Sequence, residues 1–154
     1  MDDGKATVSR SMFRLSIEVS NRIDAPAATV WRLLTDIEAQ LRWNSTLASL
    51  SGKMARGGSV KFSIKEAPKR TFRPSVVAFE DDRLMVWMVT APMLVSTRTY
   101  RVTPNADGST EFSLDEVFEG LMLPLVAWSL PDFGTMFEQT AADLKGAAER
   151  EAGA

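Results

Sequence analysis

Three polar residues, Arg98, Tyr100 and Glu116, have the types and spacing that could act on a small molecule. Arg98 and Tyr100 are two positions apart and therefore share one face of a strand. A guanidinium could anchor a carboxylate, phenolate or carbonyl, and a nearby carboxylate could orient it or act as a base. The tyrosine hydroxyl could bind a ligand oxygen. We therefore treat these three as candidate catalytic residues.

The strands that would carry these residues flank the turn-forming sequence PNADGS. If Val102 pairs with Phe112, the same register puts Arg98 opposite Glu116 on the apolar, inward face. Two alternatives stay open: a purely structural ion pair, and a one-residue slip that turns both side chains outward.

The chain contains neither histidine nor cysteine. This excludes Ser-His-Asp and Cys-His catalysis and removes the usual ligands of zinc and non-haem iron. Acid or base chemistry would have to come from Asp, Glu, Lys, Tyr100 or bound water. We expect no metal site and no cofactor.

Aromatic and methionine side chains supply the material for a pocket wall. Trp43, Trp87 and Trp128 suit ligand contact and plain core packing equally well, whereas Trp31 is expected to fill core. The eight methionines suit a deformable pocket, although ordinary gap filling explains them too. The predicted ligand-binding residues are Trp43, Trp87, Met93, Arg98, Tyr100, Glu116, Met122, Trp128, Phe133, Met136 and Phe137.

Alternation of apolar and polar residues predicts seven antiparallel strands. They are Met12–Ile23, Leu47–Lys53, Ser59–Glu66, Thr71–Glu80, Arg83–Ala91, Val95–Thr103 and Thr110–Glu119. Residues 1–11 are expected to form a flexible tail, and residues 12–150 a single domain.

Two short helices are predicted between the first two strands, one capped by Asp24 and one by Thr35-Asp36. Residues 121–151 carry a helical apolar stripe, which includes Phe133, Phe137 and Leu144. Pro131 favours a fresh helix start there, with Ser129 as its N-cap.

Charge and hydropathy limit the partners. The net charge is −2, so a strongly basic nucleic-acid surface is not expected, and Lys65, Lys69 and Arg70 fit a solvated loop. No apolar run reaches the length of a membrane span, and the first residues do not resemble a secretory signal. We predict a cytoplasmic protein, as a monomer or a homodimer.

The stretch from Ile23-Asp24-Ala25-Pro26 through Val30-Trp31 and Leu34-Thr35-Asp36 to Trp43-Asn44 resembles the START/Bet v 1-like (SRPBCC) superfamily. Within it, the chain is most similar to the polyketide cyclase/dehydrase and lipid-transport branch. The resemblance implies an α+β helix-grip fold, in which a seven-stranded curved antiparallel sheet wraps a long C-terminal helix around an apolar cavity.

Three functions compete on this basis. The first is binding of a small hydrophobic molecule, such as a lipid, a polyketide or another aromatic natural product. The second is a cyclase/aromatase or dehydratase activity on a polyketide-like substrate, which needs a buried polar cluster facing an open cavity. The third is a co-chaperone-like interaction module, which an exposed apolar patch would favour.

Overall fold

The computed structural model describes residues 3–153, which form nine strands, four α-helices and one 3₁₀ turn. The strands are β1 (Thr7–Arg10), β2 (Arg14–Ile23), β3 (Leu47–Gly52), β4 (Val60–Ile64), β5 (Ala67–Phe72), β6 (Ser75–Glu80), β7 (Leu84–Ala91), β8 (Leu94–Pro104) and β9 (Thr110–Glu119). The helices are α1 (Ala27–Thr35), α2 (Ile37–Trp43), α3 (Leu123–Val126) and α4 (Phe133–Ala152), with the 3₁₀ turn at Ala127–Ser129.

All strand pairs are antiparallel and fall into two sheets. One sheet has six strands in the order β1-β2-β9-β8-β7-β6, and the other has three in the order β3-β4-β5. A bridge between Ser59 and Ser75 joins the sheets, beside a backbone hydrogen bond of 2.8 Å from Val76 N to Gly58 O. The two sheets therefore continue each other in one curved surface.

The predicted α+β helix-grip fold is confirmed, but the strand count differs from seven. The predicted strand Thr71–Glu80 is divided, because Pro74 lies between β5 and β6 and cannot donate a ladder hydrogen bond. β1 lies within the predicted tail, and all four of its residues are exposed, so no alternation of apolar residues marks it. Residues 1 and 2 of that tail lie outside the described part of the chain.

Helix α4 packs chiefly against β2 and carries the apolar stripe predicted for it. Phe133, Phe137 and Leu144 are all buried, as expected for a helix gripped by the sheet. Asn21 of β2 fixes the contact, since its amide nitrogen donates to the carbonyl of Ala141 over 3.0 Å. The helix thus closes the concave side of the sheet.

Two predicted helix caps are wrong. Pro26, not Asp24, is the N-cap of α1, and Asp24 instead pairs with Arg22 over 3.2 Å. For α4 the cap is Asp132, whose carboxylate accepts from Thr135 N over 3.1 Å, while Ser129 donates to an upstream carbonyl. The fresh start after Pro131 and the cap of α2 by Asp36 are confirmed.

Within residues 3–153, no helix is long and apolar enough to cross a membrane.

Candidate functional site

The predicted register of the last hairpin is confirmed. Val102 pairs with Phe112, Tyr100 pairs with Leu114, and Arg98 lies opposite Glu116. Alternation along β8 and β9 turns these side chains to the face that α4 covers. The polar pair therefore lies on the inward side of the sheet, among apolar neighbours.

Arg98 and Glu116 form a buried ion pair. Arg98 is 9% exposed and Glu116 5% exposed, and Nε of the guanidinium donates to Oε1 of the carboxylate over 2.5 Å. Nη1 of Arg98 lies 3.5 Å from the hydroxyl oxygen of Tyr100, which is also buried. The three candidate catalytic residues thus form one contiguous polar cluster.

Burial and pairing shift the pKa of Arg98 in opposite directions. Burial alone would lower the pKa of Arg98, but the charge of Glu116 and the contacts with Tyr100 raise it above its usual value. Burial raises the pKa of Tyr100, although the positive charge of Arg98 opposes that shift. At neutral pH the cluster therefore presents a fixed cation and a neutral phenol.

Four aromatic rings surround the guanidinium of Arg98. The distances from Cζ to the ring centroids are 5.1 Å for Phe137, 5.2 Å for Phe62, and 5.8 Å for both Trp87 and Phe133. A cation within about 6 Å of an aromatic ring is attracted to its face. The rings thus supply part of the stabilisation that water gives to an exposed arginine.

Two interior cavities meet at this cluster. The first, here the Phe72 cavity, is lined by Phe62, Phe72, Pro74, Trp87, Val89, Ser96, Arg98 and Glu116. The second, here the Gln40 cavity, is lined by Gln40, Asn44, Thr46, Leu47, Leu50, Phe62, Ile64, Trp87, Arg98, Tyr100, Leu114, Met136, Phe137 and Thr140. Each offers about 20 Å³ to the centres of water molecules, which is room for one or two waters. Phe62, Trp87 and Arg98 line both cavities.

The Gln40 cavity has a polar side that sequence reasoning missed. Gln40 donates to the carbonyl of Leu34 over 2.8 Å and accepts from Asn44 over 3.1 Å, while Thr46 donates to Asn44 over 2.6 Å. Thr140 of α4 lies 3.4 Å from Thr46 across the cavity wall. A signal was present in the sequence, since Thr140 interrupts the apolar stripe of α4 at helical spacing.

The inward face of α2 is formed by Ala39 and Gln40. Both residues are buried, whereas Leu41 is 47% exposed. Gln40 and Asn44 are one helical turn apart, so both side chains lie over the cavity.

The structure gathers part of the predicted ligand-binding set around the cavities. Trp87, Arg98, Tyr100, Glu116, Met136 and Phe137 line them, and Phe133 stacks beside Arg98.

Four predicted residues lie elsewhere. Trp43 donates its indole N–H to the carbonyl of Leu33 over 2.8 Å and lies in a surface groove. Met93 is 59% exposed, Trp128 is 82% exposed, and Met122 is half-buried beside Met93. None of the four lines either cavity. For Trp43 and Trp128, a hydrogen bond from the indole to a backbone carbonyl holds the side chain away from the cavities.

Among the described residues, no group of three or more Asp or Glu side chains is arranged to hold a metal ion. The side chains around the two cavities supply a fixed cation, a paired carboxylate, a phenol and aromatic faces.

The chain belongs to the family described as polyketide cyclase/dehydrase and lipid transport, whose sequence pattern matches residues 14–149. The match runs from the start of β2 almost to the end of α4. It therefore includes every element that lines the two cavities. None of the curated proteins compared with this chain matches it.

Many solved structures share the fold, and three of them have the following similarity to this chain. A START superfamily protein from Mycobacterium smegmatis has 18% sequence identity and a TM-score of 0.67, over 88% of this chain and 98% of that one. CalU16 from Micromonospora echinospora has 20% identity and a TM-score of 0.56, over 97% and 98% of the two chains. A norcoclaurine synthase point mutant from Thalictrum flavum, in complex with a transition-state analogue, has 9% identity and a TM-score of 0.68, over 93% of this chain and 99% of that one. At these identities the likeness concerns the fold alone.

Proposed function

We propose that this protein binds a small hydrophobic molecule between the sheet and α4, with an oxygen of that molecule held at Arg98. The ligand would be a lipid, a polyketide or another aromatic natural product. The observation that carries the proposal is the buried Arg98–Glu116 pair, which lies where two cavities meet and is surrounded by four aromatic rings. A buried ion pair is costly compared with apolar packing, which favours a role beyond stability.

Binding of a lipid or an aromatic molecule requires side chains to move, because each cavity has room only for water. Met136 lines the Gln40 cavity, and an unbranched thioether changes rotamer at small cost. Phe62 lines both cavities, so its displacement would enlarge each of them. We therefore expect the apolar body of the ligand to replace the present contacts of these two residues.

The cyclase/aromatase or dehydratase alternative uses the same cluster. In that case Arg98 would stabilise an enolate oxygen and Glu116 would move the proton. The buried polar cluster fits this alternative, but an open cavity is also required. The small cavities favour a binding role, which needs only that the protein opens to admit its ligand.

An exposed apolar patch favours the interaction-module alternative. Met93, Leu121, Leu125 and Trp128 are all exposed, and the backbone of Met122 donates to the carbonyl of Met93 over 3.1 Å. That bond holds the β7–β8 turn against the segment before α3. If the patch binds a protein partner, Trp128→Ser should abolish a pull-down that Val77→Ser, at an exposed position on β6, leaves intact.

Native mass spectrometry of freshly purified protein tests the binding proposal. We expect a retained small molecule on the wild-type protein and its loss from an Arg98→Met, Glu116→Leu double variant. Arg101 and Asp115 form an exposed pair 3.4 Å apart on the same two strands, so Arg101→Met, Asp115→Leu is the matched control. Equal retention by all three proteins would contradict a role for the buried pair. The cytoplasmic location and the oligomeric state stay predictions, and the same spectra report the latter.

A further inference from the structure

The indole N–H of Trp87 is a buried donor without an acceptor. Trp87 is 4% exposed, and among residues 3–153 no protein acceptor lies within hydrogen-bonding distance of its Nε1. Buried tryptophan N–H groups usually find a partner, because a donor that loses water and gains no acceptor destabilises the fold. This donor therefore requires an explanation.

Two of the other three tryptophans donate their indole N–H to a backbone carbonyl. The indoles of Trp43 and Trp128 donate to the carbonyls of Leu33 and Leu125 over 2.8 Å and 2.9 Å. The second buried atom without a partner, Oδ1 of Asn21, belongs to a side chain that lines neither cavity. Trp87 is thus the residue in which an unpaired polar atom and a cavity wall coincide.

Trp87 also lies beside the buried cation. It is the cross-strand partner of Arg98 in the β7–β8 pairing, and the guanidinium carbon is 5.8 Å from its ring centroid. Tyr100 packs edge-on against the same indole at 5.1 Å. A ligand atom that enters either cavity would therefore lie against the indole and close to Arg98.

We propose that Nε1–H of Trp87 and the guanidinium of Arg98 together form a two-donor subsite for a ligand oxygen of the carboxylate or phenolate type. This inference rests on the proposed function and specifies the ligand chemistry. Two donors that share one ligand oxygen select an acceptor, and a positive charge selects an anionic one. A ligand group that can only donate, such as an ammonium, would leave the Trp87 N–H unpaired.

Two aromatic probes that differ in one group, 2-naphthoate and naphthalene, test the subsite. In the ¹⁵N-indole spectrum of the wild-type protein, we expect 2-naphthoate to move the Trp87 signal downfield and naphthalene to leave it without a hydrogen-bond shift. Replacing Trp87 by β-(3-benzothienyl)alanine, which exchanges the N–H for sulfur, should weaken 2-naphthoate about tenfold and naphthalene less than twofold. Trp87→Phe should show the same selectivity.

Trp31→Phe is the matched control, since Trp31 is equally buried on α1 but lines neither cavity. It should leave both affinities unchanged. A Trp87 signal that does not respond to saturating 2-naphthoate, or an equal loss of both probes in the variants, would overturn the subsite alone. Failure of the wild-type protein to bind either probe would overturn both the subsite and the proposed function.

Discussion

Replacing Arg98 by Met should strand the carboxylate of Glu116 in the core. Both residues are more than nine-tenths buried, and removing one partner of such a pair costs about 3–5 kcal/mol. A second estimate agrees with this range. A stranded carboxylate takes up a proton, at about 1.4 kcal/mol per pH unit above its ordinary titration near pH 4.3, which gives about 3.7 kcal/mol at pH 7.

Protonation of the stranded carboxylate makes the free energy of unfolding of Arg98→Met depend on pH. Because only the folded variant holds the extra proton, its free energy of unfolding should rise, relative to that of Arg101→Met, by about 2.7 kcal/mol from pH 7 to pH 5. Glu116→Leu instead strands a guanidinium that cannot lose its proton, so its cost should not change over this range. The double variant Arg98→Met, Glu116→Leu should lie within about 1 kcal/mol of the wild-type protein.

Urea unfolding of the wild-type protein and the four variants at both pH values measures these free energies, and urea avoids competition from guanidinium ions. A cost below about 1 kcal/mol for Arg98→Met at pH 7 would show that the pair is not buried as described. A cost independent of pH would refute the protonation argument. A double variant as unstable as Arg98→Met would mean that the rings around Arg98, and not the charge pair, supply the stability.

Three further results are expected. Tyr100 is the only tyrosine, so absorbance at 295 nm reports its ionisation alone, which should occur above pH 10. The free energy of unfolding should therefore fall as the pH rises beyond 10, whereas ionisation of Tyr100 at pH 10 would show that the site is open to water. Asp132→Ala should lower the free energy of unfolding by about 1 kcal/mol at pH 7 and by less at pH 3. Hydrogen bonds from Thr135 lower the pKa of Asp132, so the stabilisation from this cap is lost as the pH falls through that pKa, and an equal cost at pH 3 would count against the capping role. Gly120 has φ +145° and lies against the carbonyl of Met93, whereas Gly108 has φ +89° and no heavy atom within 4 Å of a Cβ placed there. Gly120→Ala should therefore destabilise the protein by about 2 kcal/mol more than Gly108→Ala, and equal effects on thermal unfolding would show that the close approach is absent.

Local sequence patterns predicted most of the fold and the central ion pair. The regular alternation in β9, matched by Tyr100 and Val102 on β8, predicted the register that places Arg98 opposite Glu116, because a slip of one residue would turn the apolar side chains of β9 outward. The divided strand at Pro74 was readable in principle, whereas β1 was not, since its four exposed residues contain no apolar alternation.

The rest of the site depended on packing between distant elements. Gln40 and Asn44 face the cavity because α2 turns Leu41 outward, and no periodicity in seven residues fixes that rotation. Trp128 looked like a wall residue by its type, but a hydrogen bond to the carbonyl of Leu125 holds its indole at the surface. The small size of the cavities was also invisible in the sequence, because it results from how Phe62, Met136 and Phe137 pack together.

The affinity of the Arg98→Met, Glu116→Leu variant for 2-naphthoate and for naphthalene tests most directly whether the buried pair holds the ligand. The variant should fold, lose at least tenfold in affinity for 2-naphthoate, and keep its affinity for naphthalene within twofold, because only the polar anchor has been removed. Arg101→Met, Asp115→Leu, which changes the exposed pair on the same strands, should bind both probes like the wild-type protein. Undiminished binding of 2-naphthoate by the first variant would contradict the claim that the buried pair holds the ligand.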